Sequence, residues 1–439
     1  MQTHQGALIH DALCTDCRKC IVVCPLRAII SADNSPKHFS KIKKSTVTHK
    51  EGFDMVVLGG GPAGLSSAYF ASKAGMSAAV IEHRKVFGVP VACAEGISTV
   101  GLNRVFEPRP EWICTTIEGA RVITPSGKTI FVDHPSAGYV LDRPIMERDI
   151  AGMCAENGAK IFSATTIIEI VGDEKVEQLI AAHENEKIEF LGKFFIGADG
   201  IAGHSARWAF PQKNLGNEDY HSCAQVLLSA EGIDEHIPEF FWGNNIAPGG
   251  YAWIFPKGNN RANVGLGIIP GLAGGKSPQD FLQKLLEIHF KNYEILERKD
   301  GVVPATNRLK PLGRANMLLC GDAARLANAI SGGGIDCALL SGKLAATAIL
   351  KNPDAQYKTI VSRYEKSWHE FLGKNLDLYA RLRKGVLRLN DDEFEQIAIL
   401  LNLLLGGKKW TALDIPKLMM KIAVSQPRLL AIARHFIKA

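Results

Sequence analysis

The run of apolar positions from Met55 to Leu58 stops abruptly at Gly59. It is followed by Gly59-x-Gly61-x-x-Gly64 and then by an Ala- and Ser-rich stretch of helical character. A second apolar run, Ala78-Ala-Val-Ile81, ends in Glu82, 18 residues past Gly64. Strand, glycine turn, helix and strand in that order form a βαβ unit. The three glycines serve the tight turn, the approach of backbone to a pyrophosphate, and close helix–strand packing. A carboxylate at the distance of Glu82 suits a ribose hydroxyl. Further runs read as strands at 117–124 and 128–133, joined by Pro125-Ser-Gly127. The pattern predicts a helix from Arg143 to about Asn157, stopped by Gly158. Lys193–Gly200 and Leu318–Ala324 read as strands ending in Asp-Gly and Gly-Asp, and Ser331-Gly-Gly-Gly-Ile335 opens a helix to about Leu350.

Pro248-Gly-Gly-Tyr251-Ala-Trp253-Ile-Phe255-Pro256 has a different pattern. Strand side chains alternate, which puts Tyr251, Trp253 and Phe255 on one face and Ala252 and Ile254 on the other. Three aromatics on one face make a smooth apolar wall. Such a wall could fill a core, or hold a polyprenyl chain and stabilise positive charge on it.

At 439 residues the chain has room for two or three domains. Its 46% apolar and 22% charged residues fit an ordinary globular protein. The net charge of +6 sits entirely in residues 357–439, where 15 Lys and Arg face eight Asp and Glu. That region reads as helical, with Gly385 and Pro416 as breakers. From Ile415 onward it carries five basic residues, no acid, and apolar residues at helical spacing. The pattern suits either an anionic bilayer surface or ordinary packed helices with a basic outer face. The longest apolar run, Ile397–Leu405, is too short for a membrane span. The first 13 residues lack the apolar core of a secretory leader. A cytoplasmic protein, peripheral on the membrane at most, is therefore expected, with no nucleic-acid partner.

Ten cysteines in such a chain point to metal or redox use rather than disulfides. Cys14-x-x-Cys17-x-x-Cys20-x-x-x-Cys24-Pro25 has the spacing that ligates a 4Fe–4S cluster in bacterial ferredoxins. Only one such motif is present, and in two-cluster ferredoxins the Cys before Pro ligates the other cluster. The fourth ligand is therefore open: Cys24 itself, an exposed Cys93, or Cys24 of a second chain in a homodimer. Residues 31–52 read as a polar, basic linker. No second GxGxxG occurs, so a nicotinamide domain is not expected and the cluster is the natural entry for electrons.

Together, GxGxxG, a downstream Asp-Gly strand and Gly-Asp-Ala-Ala resemble the FAD proteins of the para-hydroxybenzoate hydroxylase fold. The Tyr251 stretch matches the P-x-x-Y-x-W-x-F-P motif of the geranylgeranyl reductase family. The resemblance covers about 53–350 well and the C-terminal helices loosely. It implies an α/β fold in which an FAD-binding Rossmann-like domain (53–350) is interleaved with an antiparallel substrate sheet at about 210–310. A ferredoxin-like segment (1–30) precedes it and a helical region (351–439) follows.

By the same resemblance, Gly59, Gly61, Ala63 and Gly64 cradle the pyrophosphate, Glu82 and Asp322 hold ribose or phosphate groups, and Arg143 lies near the cofactor. Gly334 and Ile335 offer N–H groups to the flavin. Where the family has Cys-Gly, this chain has Cys93-Ala94, which implies a role for Cys93 beside the flavin. Tyr251, Trp253 and Phe255 would line the substrate. The activity implied is reduction of prenyl double bonds by hydride from flavin N5. The electrons would come from the cluster, from ferredoxin or from another low-potential donor. Two other readings share these cofactors: a flavoprotein:quinone electron-transfer protein and a non-catalytic redox sensor.

Overall fold

The computed structural model describes residues 47–405 apart from Asn185. Cys14, Cys17, Cys20 and Cys24, and the basic segment from Ile415, lie outside the described residues.

The first unit is β1 (Val47–Leu58), α1 (Pro62–Lys73) and β2 (Ala78–Ile81). β1 begins inside the stretch read as a linker, so 47–52 belong to the sheet, where they pair in parallel with Lys187–Leu191. The chain continues through β3 (Gly96–Ser98), α2 (Thr99–Asn103), β4 (Ile113–Ile123), β5 (Thr129–Leu141) and α3 (Arg143–Glu156). Next come β6 (Lys160–Phe162), β7 (Thr165–Val171), β8 (Gln178–His183), β9 (Glu186–Gly197) and α4 (Ser205–Ala209). Then follow β10 (Tyr220–Ser229), β11 (Glu239–Trp242), β12 (Tyr251–Gly258), β13 (Arg261–Ile268), α5 (Pro278–His289) and β14 (Glu294–Pro304). The chain then returns through β15 (Gly313–Arg314), β16 (Met317–Leu319) and α6 (Ile335–Leu350) to α7 (Tyr357–Trp368), α8 (Lys374–Val386) and α9 (Asp391–Leu405).

β16, β9, β1, β2 and β6 lie side by side in parallel. Their buried apolar residues, Met55–Leu58 and Phe194–Ile196 among them, form the main core with α1 and α6. Helices α1 and α6 touch closely: a Cβ on Gly342 would stand 2.1 Å from the Ala63 carbonyl oxygen. Asp199, at the Asp-Gly strand end, accepts from the His204 and Ser205 N–H groups at 2.6 and 3.0 Å and so starts α4.

The second sheet runs β14-β10-β13-β12-β11-β4-β5-β3. It is larger than the 210–310 insertion expected from sequence. The hairpin of β4 and β5, together with β3, joins it through β11, which pairs with β4 in parallel. One face, with Ala252, Ile254, Val264 and Phe241, packs on α5 as a second core. Helix α5 starts at a capping box in which Ser277 and Asp280 satisfy each other's backbone N–H. The C-terminal helices dock on both units. Arg308 bridges Glu365 and Asp377 at 2.8 and 3.2 Å, and Asp391 accepts from the Asn244 N–H at 2.7 Å.

Candidate active site

The site lies where the unpacked face of the second sheet meets the C-terminal ends of the parallel strands. At the glycine turn, Gly59 has φ +102°, a conformation that suits glycine, and its N–H bonds the Ile81 carbonyl at 2.8 Å. A Cβ on Gly64 would stand 1.9 Å from the Gly59 carbonyl oxygen, so helix and strand touch here. Beside Gly61 the space is open, with nothing within 4 Å of where its Cβ would be. Pro62 occupies the first helical turn, and Ala63 follows at the helix N-terminus. The turn therefore presents backbone N–H groups and the positive end of α1 to an open recess.

Glu82 directly follows β2, with its side chain 2% exposed. Its carboxylate accepts from the Gly60 N–H at 2.6 Å and from the Arg84 N–H and Nε at 2.8 Å. Burial opposes its charge, but bonds from His83 and Arg84 outweigh that and hold it far below the usual carboxylate range. The carboxylate is thus fixed beside the turn, as its spacing predicted.

Arg143 begins α3 behind Asp142, whose side chain caps the helix at Ile145. Its guanidinium is buried against Glu147, and Nε has no partner. Burial works against its charge, but Glu147 and Cys93 favour it more strongly. Asp322 lies within electrostatic reach of Arg143, and burial raises its carboxyl to about 6 against the pull of that arginine. Gly334 caps α6 without a side-chain bond, and a Cβ there would be 3.5 Å from an Asp322 oxygen. Gly334 and Ile335 therefore face Asp322 at the start of a 16-residue helix. An unpartnered arginine nitrogen, an open glycine turn, a fixed carboxylate and a second bare helix N-terminus are what a bound dinucleotide cofactor requires.

Sequence reading assigned Tyr251, Trp253 and Phe255 to one face of β12, and the structure agrees. That face also carries Phe240 and Trp242 from β11, which pair across with Trp253 and Tyr251. Tyr251 stacks on Trp242 at 6.1 Å between ring centroids and meets Trp253 at 5.7 Å, while Phe240 meets Phe255 edge-on at 5.4 Å. The wall stands against the loops that hold Cys93, Gly96 and Ser331. Phe255 packs where a Cβ on Gly96 would lie 2.4 Å from its ring. The Tyr251 hydroxyl donates to the Ser331 carbonyl. The Trp253 indole N–H donates to Gln225 Oε1 at 3.3 Å, and Gln225 Nε2 donates to the Cys93 carbonyl at 3.0 Å.

Cys93 is half-buried in this seam rather than exposed. Its sulfur accepts the Glu95 N–H at 3.3 Å, and it lies within electrostatic reach of Arg143, Cys223 and Tyr251. The Ala94 carbonyl accepts from Asn263 Nδ2 at 3.3 Å.

Sequence reading missed the framework behind this loop. Glu95 has a left-handed backbone (φ +69°), and its buried carboxylate accepts from Lys257 at 2.8 Å, Asn263 at 2.7 Å and the Arg143 N–H at 3.0 Å. Gln225, Phe240 and Trp242 were also missed. The Glu-Phe-Phe-Trp run at 239–242 was the available signal for the aromatic pair.

The fold and the site together define an FAD-binding flavoprotein with a substrate sheet laid over its cofactor crevice. A profile described as "FAD binding domain" matches residues 54–112, and one described as "Geranylgeranyl reductase catalytic domain" matches 219–303. The chain is 35% identical over 362 residues to digeranylgeranylglycerophospholipid reductase 1 of Methanococcoides burtonii, covering 80% of this chain and 88% of that one. A digeranylgeranylglycerophospholipid reductase of Methanocella arvoryzae is 33% identical over 389 residues, covering 87% and 98%. The crystal structure of a geranylgeranyl bacteriochlorophyll reductase-like protein from Thermoplasma acidophilum superposes with a TM-score of 0.80 at 28% identity, covering 88% of this chain and all of that one. A flavin-dependent brominase shares the fold at a TM-score of 0.64 and 17% identity. This chain belongs to the geranylgeranyl reductase family.

The six cysteines among the described residues, from Cys93 to Cys337, are free. No group of His, Cys, Asp and Glu among those residues could hold a metal. No helix among them is long and apolar enough to cross a membrane.

Proposed function

We propose that this protein reduces the prenyl double bonds of a digeranylgeranyl glycerophospholipid, with FAD in the crevice between the two sheets. The observation that carries the reading is the five-aromatic face of β11 and β12. It is held against the Cys93 loop through Gln225 and against the Ser331 loop through the Tyr251 hydroxyl.

Gly59, Gly61, Ala63 and Gly64 would hold the pyrophosphate, Glu82 and Asp322 the ribose and phosphate groups, and Gly334 and Ile335 the flavin edge, with Arg143 and Ala94 beside it. When bound, FAD supplies hydride at N5. The chain's own part is to bind the prenyl tail along Tyr251, Trp253 and Phe255, which keeps water away. The reduction adds that hydride to one alkene carbon and a proton to the other, and aromatic faces stabilise the positive charge that develops at the tertiary carbon as the proton adds. Cys93, half-buried in the seam near Arg143 and Tyr251, would bring its thiol beside the reacting alkene. Cys14, Cys17, Cys20 and Cys24 would hold a 4Fe–4S cluster that passes electrons from ferredoxin or another low-potential donor; thiolates at this spacing are its donor set. The basic, apolar pattern from Ile415 supports contact with an anionic bilayer, where such a lipid resides.

Trp253→Ala tests the reading. Its side chain lies away from the glycine turn, so FAD content should hold while single-turnover alkene reduction falls at least tenfold. Equal loss of both would mean that the aromatic face only fills space.

A further inference from the structure

Arg383, near the end of α8, lies outside everything assigned above. It is 7% exposed, and two of its guanidinium nitrogens, Nε and Nη2, are buried without a hydrogen-bond partner. A buried, unpaired cation is costly, and proteins rarely keep one without a use. Nε and Nη2 lie on one edge of the planar guanidinium, the edge that donates two parallel N–H bonds to a phosphate or carboxylate.

The nearby ionisable groups do not satisfy it. Asp219 and Glu218 favour its charge from a distance. The Asp219 carboxylate is instead committed to its own turn, accepting the Gly216 N–H at 2.7 Å. His221 Nε2 donates to the Gly249 carbonyl at 3.2 Å, and burial beside Arg383 keeps it neutral.

Arg383 lines a narrow cleft that is partly open to solvent. The other walls include His221, Ile330, Phe394, Trp242 and Tyr251. Trp242 and Tyr251 also belong to the aromatic face. The cavity is therefore continuous with the proposed prenyl wall and lies at its polar end.

We infer that this cavity binds the phosphate ester of the prenyl lipid, with Arg383 Nε and Nη2 donating to two phosphate oxygens. The inference rests on the proposed prenyl-lipid reading and adds to it a site for the charged end of the substrate.

The test is a binding titration on the FAD-loaded protein, followed by intrinsic tryptophan fluorescence, with geranylgeranyl phosphate and geranylgeraniol as ligands. The wild type should bind the phosphate about 10- to 100-fold more tightly than the alcohol, the range for charge-assisted bonds at a buried site. In Arg383→Gln that ratio should fall close to one, and inorganic phosphate should stop competing with the lipid phosphate. An unchanged ratio in Arg383→Gln overturns the inference. If that variant does not retain FAD, Leu387→Glu, which puts an acid in the same cavity, should collapse the ratio instead; a ratio that survives there overturns the inference equally. Binding does not require turnover. A protein that binds both ligands with the expected ratio but reduces neither would sink the proposed reaction and leave the phosphate site standing.

Discussion

Lys257→Met should loosen the Cys93 loop by stranding a buried charge. The Lys257 and Glu95 side chains are only 10% and 4% exposed, and they meet at 2.8 Å. Removing one partner of such a pair costs about 3–5 kcal/mol, because the other charge stays buried. Glu95 would keep the Asn263 Nδ2 and Arg143 N–H donors, which places the cost at the low end, about 3 kcal/mol. That is roughly a 100-fold change in the folding equilibrium. Glu95→Gln alone keeps an amide oxygen for Lys257 and Asn263 but removes the countercharge of Lys257 and turns an NH2 group toward the Arg143 N–H, and should also destabilise. The double variant Glu95→Gln/Lys257→Met removes both charges and keeps an amide for Asn263, so it should recover much of the loss. Thermal unfolding of wild type, both single variants and the double, followed by circular dichroism and flavin fluorescence, gives the cycle. Flavin release should precede global unfolding in Lys257→Met, because Glu95 lies two residues from Cys93. A Lys257→Met cost under about 1 kcal/mol, or a double variant no better than Lys257→Met, would refute the reasoning.

Three other outcomes follow from the same geometry. Glu82→Ala frees the Gly60 N–H and removes a fixed carboxylate from the cofactor crevice; equilibrium dialysis should find FAD affinity reduced about tenfold or more, and wild-type affinity would count against the ribose role. His221 is held neutral by burial and by Arg383, with its pKa lowered to about 4. The unfolded chain therefore takes up the proton first, and stability that is complete above the ordinary histidine range is lost as pH falls toward 4, by up to roughly 3 kcal/mol. His221→Asn should flatten the melting temperature of the wild type between pH 6.5 and 4.5, and parallel profiles would contradict that assignment. Gly96→Ala would place a methyl group 2.4 Å from the Phe255 ring, so it should lower alkene reduction more than it lowers FAD content, as measured by flavin absorbance and product mass.

The parts of the site that were legible in the sequence are those whose physics is local. The turn at Gly59–Gly64 reads directly, because the left-handed backbone at Gly59, the open space at Gly61 and the contact of Gly64 with Gly59 all follow from the local strand–turn–helix geometry. The face shared by Tyr251, Trp253 and Phe255 follows from strand alternation alone. The aromatic pair from β11 was not legible, since only the register with β12 brings Phe240 and Trp242 alongside. Glu95 with Lys257 and Asn263 spans 162 and 168 residues of sequence. A charged residue in a loop looks solvated until the sheet is folded over it. The size of the second sheet was misjudged for the same reason: β4 looked like part of a local hairpin with β5, and its parallel pairing with β11 is a long-range contact. Arg383 could not be separated from the other basic residues of its helix, because only burial distinguishes it.

The central claim is that the flavin crevice and the aromatic wall together deliver hydride to a prenyl double bond. The most direct measurement is an anaerobic single turnover: the protein with its flavin pre-reduced, mixed with digeranylgeranyl glycerophospholipid, with flavin absorbance and lipid mass followed together. The account predicts that the lipid reoxidises the flavin and gains two hydrogens at one double bond for each flavin oxidised. Flavin that stays reduced with the lipid, yet reoxidises at once with a quinone and leaves every double bond intact, would contradict it and mark the protein as an electron carrier.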